Sequence, residues 1–163
     1  MSSIKFFITG GTIDKIYNEI DGTLSFTNTH IPAMLEQARC HVDLATETLM
    51  LKDSLEMDVA DRELIKQKCG SCEESKIIIS HGTDTMVETA EVLAKEIMGK
   101  TIVLFGAMVP FSISYSDSLF NLGCAVTAVQ CLRKGVYISM NGQIFPWDDV
   151  RKNKNEGVFQ AKS

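Results

Sequence analysis

Nowhere in the 163 residues do eighteen apolar residues run together, so no membrane-spanning helix is expected. No block of five or six like charges occurs, and with a net charge of -5 a nucleic-acid-binding face has no compositional support. Histidine is scarce, limited to His30, His41 and His81. Cys69-Gly70-Ser71-Cys72 has no second ligand pair to complete a metal site, so no bound metal is expected. The five cysteines are odd in number and lack the spacing of a disulfide framework, which points to a reducing compartment, the cytoplasm. Behind the start, Met1-Ser2-Ser3-Ile4-Lys5, there is no long apolar region with a small-residue cleavage site, so no export signal is expected. Low-complexity segments and an interdomain linker are also missing. These absences leave one domain over residues 1–163 with a small molecule as its partner.

What is present fits that frame. The chain is 45% hydrophobic and 23% charged, close to the globular average, and a domain of this size buries roughly 68 to 70% of its unfolded surface. Ile4–Ile8, Lys76–Ser80, Thr101–Phe105 and Gly135–Met140 are short apolar runs that read as strands covered on both faces. Val42–Leu51 reads as a further extended segment. Helical spacing predicts helices over Ala33–Arg39, Asp58–Lys68, Thr85–Met98 and Ser116–Arg133. Gly70 and Gly99 read as stops, and Arg133 with Lys134 in the last turn would suit the dipole. In Asp58–Lys68 the apolar positions are Val59, Leu64 and Ile65, with charges between them. Strands alternating with helices of ten or more residues argue for an α/β fold, doubly wound and Rossmann-like, with a mostly parallel sheet and helices on both faces. Asp14–Thr29 has no sustained period and carries Tyr17 and the turn signal Asp21-Gly22, so a loop or small hairpin is expected there, a lid in character. Asp148–Ser163 reads as a polar surface extension.

Two of these strands empty into matching polar loops. Phe6-Phe7-Ile8 runs into Thr9-Gly10-Gly11-Thr12-Ile13-Asp14, and Ile77-Ile78-Ile79 runs into His81-Gly82-Thr83-Asp84-Thr85-Met86. In an open parallel sheet the carboxyl ends of the strands share one crevice, the place where ligands bind. Taken singly, Thr12 and Thr83 each read as a cap sooner than as a nucleophile, and it is their pairing that shifts the balance. Gly82-Thr83-Asp84 sets a hydroxyl and a carboxylate at a helix N-terminus, where backbone N–H groups favour an anion. A threonine hydroxyl needs a base brought to it at neutral pH. Lys152, Tyr17, Asp14 and Asp84 are the candidates. Cys69 and Cys72 read as inert surface thiols, His81 as a structural hydrogen-bonding group, and the methionines as core packing.

With Gly106-Ala107-Met108, Phe120-Asn121-Leu122, Met140-Asn141 and Asp149-Val150-Arg151-Lys152, these two loops make the chain resemble the bacterial-type L-asparaginase and glutaminase family along nearly its whole length. The resemblance implies that Thr12 attacks a side-chain amide with Tyr17 of the lid as its partner. It also implies that Thr83, Asp84 and Lys152 form a second hydroxyl, carboxylate and ammonium group. Ser54 and Asp84 would grip the α-carboxylate and α-amino groups of the substrate, Ala107 would offer its backbone to the amide, and Gly11, Leu55 and Gly82 would line the site. The implied reaction is conversion of L-asparagine to L-aspartate and ammonia, with no metal or cofactor. Glutamine or another ω-amide is the alternative substrate. An amino-acid-binding protein without turnover, and a subunit passing ammonia to a partner enzyme, are the other readings.

Two departures from the family pattern stand out. Its usual Ser-Gln-Asp run is Ser54-Leu55-Glu56 here, which replaces a polar contact with an apolar side chain. Its members are usually about twice this length, and their smaller C-terminal domain, absent from these residues, gives a glutamate to a neighbouring subunit's site. A symmetric partner, most simply in a C2 homodimer, is therefore expected near the crevice.

Overall fold

A computed structural model describes residues 3–163; Met1 and Ser2, with the part of the N-terminal reading that falls on them, lie outside the described residues. In chain order the strands are β1 (Ile4–Gly10), β2 (Ile16–Asn18), β3 (Thr23–Ser25), β4 (Leu44–Lys52), β5 (Lys76–Ser80), β6 (Thr101–Phe105), β7 (Gly135–Met140), β8 (Gln143–Pro146), β9 (Arg151–Asn153) and β10 (Val158–Gln160). The helices are α1 (Ile31–Gln37), α2 (Val59–Ser71), α3 (Met86–Glu96) and α4 (Ser118–Cys131). Six strands form one sheet in the order β4-β1-β5-β6-β7-β8. All of its neighbours are parallel except the edge pair β7 and β8. The five parallel strands thus follow the flavodoxin-like variant of the doubly wound order, with the reversal between β1 and β5.

The apolar runs are unalternating because the sheet is buried on both faces. Phe7, Ile77, Ile79, Ile102 and Leu104 pack with Ile65 and Cys69 of α2 and Met86, Ala90 and Leu93 of α3. Phe6, Ile8, Ile78, Val103 and Phe105 pack on the other side with Ile31 and Met34 of α1 and Leu122, Ala125 and Val129 of α4. The expected α/β architecture with helices on both faces is therefore present.

Several local expectations are corrected. In α2, Val59 is 85% exposed and Leu64 lies at the surface, while Ile65 and Cys69 are buried; the stripe facing the sheet is offset from the one read off the apolar residues. Cys69 is consequently a core thiol instead of a surface one, and burial pushes it up to about 12. Gly70 lies inside the helix, whose start is fixed by reciprocal hydrogen bonds between Asp58 and Asp61, a capping box. Arg133 and Lys134 fall beyond the end of α4. Met34, Met57, Met86 and Met140 are core residues, whereas Met98 and Met108 are exposed. The segment after Gly10, by contrast, is as expected: a turn followed by the small β2–β3 hairpin.

Two elements go beyond what the sequence pattern suggests. Asn141 and Gly142 both have positive φ, 56° and 73°, and link Met140 to Gln143 as a two-residue hairpin turn for which Asn-Gly is the preferred pair. The polar extension expected at the end instead forms the β9–β10 hairpin, anchored by buried Val150 and Phe159 and by the Phe159 N–H donating to Asn141 Oδ1 at 2.8 Å.

Candidate active site

The loops after β1, β4, β5 and β6 meet at the carboxyl edge of the sheet, and glycine is what lets them meet. Gly11 has φ +80°, and a Cβ there would lie 2.4 Å from the Gly82 nitrogen; a Cβ on Gly82 would lie 2.6 Å from the Ser54 side chain. Thr12 and Thr83 are therefore delivered by two backbones in direct contact, on either side of the strand reversal. Thr9 Oγ1 donates to Ser80 O at 2.7 Å and the Gly11 N–H to Lys52 O at 2.9 Å, which ties the first loop to both neighbours. Lys15, past the Thr12 turn, pairs with Asp53, just past β4. That hydrogen bond is the main cause holding the Asp53 carboxyl below the usual range.

Lys152 comes from β9, on the hairpin that reads as a tail in the sequence. Its ammonium donates to Thr83 Oγ1 and to Asp84 Oδ1, both at 2.8 Å, and its side chain is only 11% exposed. The hydroxyl of Thr83 in turn faces Met108 Sδ at 3.7 Å. Thr83, Asp84 and Lys152 are thus brought together, with Thr12 on the adjoining loop at the start of a short turn, Thr12–Asp14. Ser54 is buried, and its Oγ accepts from the Thr85 N–H at 3.2 Å, which leaves its own hydroxyl hydrogen to donate. Ala107 is buried beyond β6, whereas Leu55, next to Ser54, is largely exposed.

Tyr17 is 56% exposed on the β2–β3 hairpin, and no hydrogen bond joins it to Thr12 among the described residues. Asp14, a candidate base by sequence, is turned away from that task. Its Oδ1 accepts from the His30 N–H at 2.7 Å and from Thr29 Oγ1 at 3.1 Å, fixing the start of α1, and burial pushes its carboxyl up. Among the described residues no three His, Cys, Asp or Glu side chains converge as metal ligands, and no helix is long and apolar enough to cross a membrane. A groove of about 570 Å³ between α4 and β8, lined by Phe120, Gly123, Cys124, Thr127 and Ile144, contains none of the crevice residues.

Sequence reasoning misses the groups that hold these loops. Asp117 accepts from the N–H groups of Met108 and Val109, and Asn121 Nδ2 donates to Gly106 O and to Asp117. An Asp four residues before an Asn at a helix start is the available signal. Arg62 falls among the charges between the apolar positions of α2, yet at three residues before Ile65 and seven before Cys69 it lies on the buried stripe of that helix.

His81 is enclosed, and its protons can be assigned. Nδ1 faces the Gly82 carbonyl at 2.7 Å and must donate; Nε2, 2.7 Å from Thr89 Oγ1, therefore accepts. Burial, with a smaller contribution from the Arg62 charge, holds the imidazole down to about 4 against an ordinary 6.5. The unfolded chain takes up this proton first as pH falls. His81 thus contributes stability that is full above about pH 6.5 and lost progressively toward pH 4, about 3 kcal/mol in all. Asp14 works in the opposite sense, its contribution being present at low pH and lost as pH rises. Urea unfolding of the wild type and His81→Gln between pH 4 and 7 isolates the His81 part: the difference in stability between the two is expected to shrink as pH falls through that window.

The family described as "Asparaginase, N-terminal" matches residues 3–162. Over 173 aligned residues the chain is 31% identical to a glutamyl-tRNA(Gln) amidotransferase subunit from Methanococcus vannielii, covering 99% of this chain and 39% of that one. It is 28% identical to a glutaminase-asparaginase of Pseudomonas aeruginosa, covering 100% and 49%. The crystal structure of a probable cytoplasmic L-asparaginase from Campylobacter jejuni superposes with a TM-score of 0.86 at 29% identity, over 99% of this chain and 53% of that one. The chain spans about half the length of these relatives or less.

Proposed function

From the premise that the chain belongs to the asparaginase family, whose N-terminal domain it matches over residues 3–162, we propose that it hydrolyses L-asparagine to L-aspartate and ammonia. The observation that carries the reading is the Lys152 ammonium 2.8 Å from both Thr83 Oγ1 and Asp84 Oδ1, beside the Thr12 loop. In this scheme Thr12 Oγ attacks the amide carbon after losing its proton to a neighbouring base. The C–N bond then breaks as the departing nitrogen gains a proton and leaves as ammonia, and water cleaves the resulting ester to restore Thr12. Lys152 keeps the Thr83 hydroxyl and the Asp84 carboxylate in fixed orientation for the proton transfers. Ser54 donates to the substrate α-carboxylate, Asp84 accepts from its α-amino group, and the Ala107 backbone faces the amide. Gly11 and Gly82 allow that close approach, and Leu55 lines the rim. Because Tyr17 stands out on its hairpin, its part requires that hairpin to close over the crevice, which would also exclude water.

Glutamine and other ω-amides stay within the same chemistry; one relative is named a glutaminase-asparaginase. The relative named as an amidotransferase subunit favours a second reading, an ammonia-releasing component of a larger assembly. We place the protein in the cytoplasm, in line with its free cysteines, and as a homodimer or higher homo-oligomer whose partner copy completes the crevice. Ammonia release measured with asparagine and glutamine side by side tests the reaction; tight aspartate binding without ammonia release would replace it with amino-acid binding. With activity followed against protein concentration and mass determined by light scattering in parallel, specific activity is expected to fall as dimers dissociate. A fully active monomer would overturn the shared site.

A further inference from the structure

Arg62 is a charge on the face of α2 that packs toward the sheet, and its side chain is 13% exposed. Each of its three nitrogens donates a hydrogen bond. Nε donates to Thr89 Oγ1 at 3.1 Å, Nη2 to Thr85 Oγ1 at 2.8 Å and Nη1 to the Met57 carbonyl at 3.2 Å. Glu88, mostly exposed, lies 3.4 Å from Nη2.

The hydroxyls it touches pass the connection on. Thr89, accepting from Arg62, donates to His81 Nε2 at 2.7 Å, and His81 Nδ1–H donates to the Gly82 carbonyl at 2.7 Å. Thr85, also accepting from Arg62, donates to the Ser54 carbonyl at 2.8 Å. One guanidinium therefore begins two relays, one ending on the Gly82–Asp84 loop and the other on the Ser54–Glu56 turn. The bond to Met57 O grips that turn again just past its end, where the Met57 N–H closes on Ser54 O. Thr85 occupies the N-cap of α3 but makes no side-chain cap bond, although that is the ordinary use of a threonine there. Its hydroxyl is committed to the two loops instead.

We propose that Arg62 is a positioning residue for the crevice, holding the Ser54 turn and the Gly82–Asp84 loop in one mutual geometry through these two relays. For its functional consequence the inference rests on the amide-hydrolase reading. Lys152 secures Thr83 and Asp84 without Arg62, so loss of Arg62 loosens the grip of Ser54 on substrate more than it disturbs the reacting groups. A planar fork is required, because the three acceptors lie just before the start of α2, at the N-cap of α3 and one turn into α3. A compact ammonium cannot reach them together.

The test is Arg62→Met beside Arg62→Lys, read by hydrogen exchange of the ligand-free chain and by kinetics. In Arg62→Met the amides of Met57 and Thr85 are expected to exchange at least about tenfold faster, with β6 and α4 amides unchanged. KM for asparagine and the Kd for aspartate should each rise about tenfold or more while kcat falls less than about threefold. Arg62→Lys should be intermediate in exchange and in KM. An earlier melt with wild-type exchange at Met57 and Thr85 and unchanged KM and Kd would reduce Arg62 to a stabilising residue and overturn the inference. Should Arg62→Met fail to fold, Arg62→Lys decides: exchange and KM equal to wild type overturn it, and faster exchange with raised KM upholds it. A wild-type chain that neither releases ammonia nor binds aspartate would sink the hydrolase reading, while the exchange comparison would still decide whether Arg62 couples the loops.

Discussion

Thr83→Val is expected to lower the rate of asparagine hydrolysis by about two orders of magnitude or more, and Thr12→Ala to do the same, the range typical for loss of a nucleophile or proton-transfer group. The two losses have different origins. Thr12 stands at the start of its turn with Gly11 before it at φ +80°, and removal of its hydroxyl takes away the proposed attacking oxygen while leaving the glycine contacts intact. Thr83→Val is nearly isosteric, but it deprives Lys152 of the oxygen at 2.8 Å and leaves the ammonium with Asp84 alone. Neither residue lies in the two apolar layers that hold the sheet, so Thr12→Ala should be nearly neutral in stability, and Thr83→Val, which gives up the bond from Lys152 and the weak one to Met108, should cost about 1 kcal/mol. Ammonia release at saturating asparagine, with urea unfolding of each variant, checks both halves. A variant that folds and keeps more than about a tenth of the rate, a barrier change below about 1.4 kcal/mol, would remove that residue from the chemistry.

That the two loops carrying Thr12 and Thr83 would be neighbours is legible without coordinates. Two apolar runs each ending in a Gly-Thr pair, within an alternation of strands and helices, imply parallel strands whose loops share one edge. The contact between Gly11 and Gly82 is the physical form of that inference. Lys152 is a different case. Its local sequence is polar and reads as solvated surface, and only the family resemblance puts it in the crevice. Two buried side chains, Val150 and Phe159, together with the bond to Asn141, determine where the hairpin packs, and no local periodicity carries that information. Strand β8 escapes for a smaller reason: the Asn-Gly signal is plain, but the strand that follows it is short. The offset stripe on α2 escapes because Val59 and Leu64 are apolar yet face solvent. Apolar character constrains a helix face only through what packs on it, and here a cysteine and an arginine occupy the buried side. The Asp117 and Arg62 networks depend on which loops meet, so they become visible only with the tertiary contacts.

Lys152→Met is expected to cost at least as much activity as either threonine change, because Lys152 reaches both of its neighbours. The Lys152 side chain is largely enclosed, while Asp84 keeps 33% of its side chain exposed. The pair therefore touches water on its Asp84 side, and its Coulomb energy is partly screened. That asymmetry sets the outcome. Loss of the ammonium leaves a carboxylate that water can still solvate, so the fold should survive with a stability change of about 1 to 2 kcal/mol, below the range for breaking a fully buried pair. Catalysis as proposed has no such relief: the Thr83 hydroxyl loses its donor, and the Asp84 carboxylate loses the charge that would hold it ready for the substrate α-amino group. A drop of about 100-fold or more in kcat follows if proton transfer runs through this trio, together with weaker aspartate binding by calorimetry. Lys152→Arg should not restore the rate, since a planar fork does not place one donor on both oxygens in the space of an ammonium. Full activity in Lys152→Met would mean that the 2.8 Å contacts serve only to pin the β9–β10 hairpin. The proton-transfer role would then have to pass to Asp84 and water.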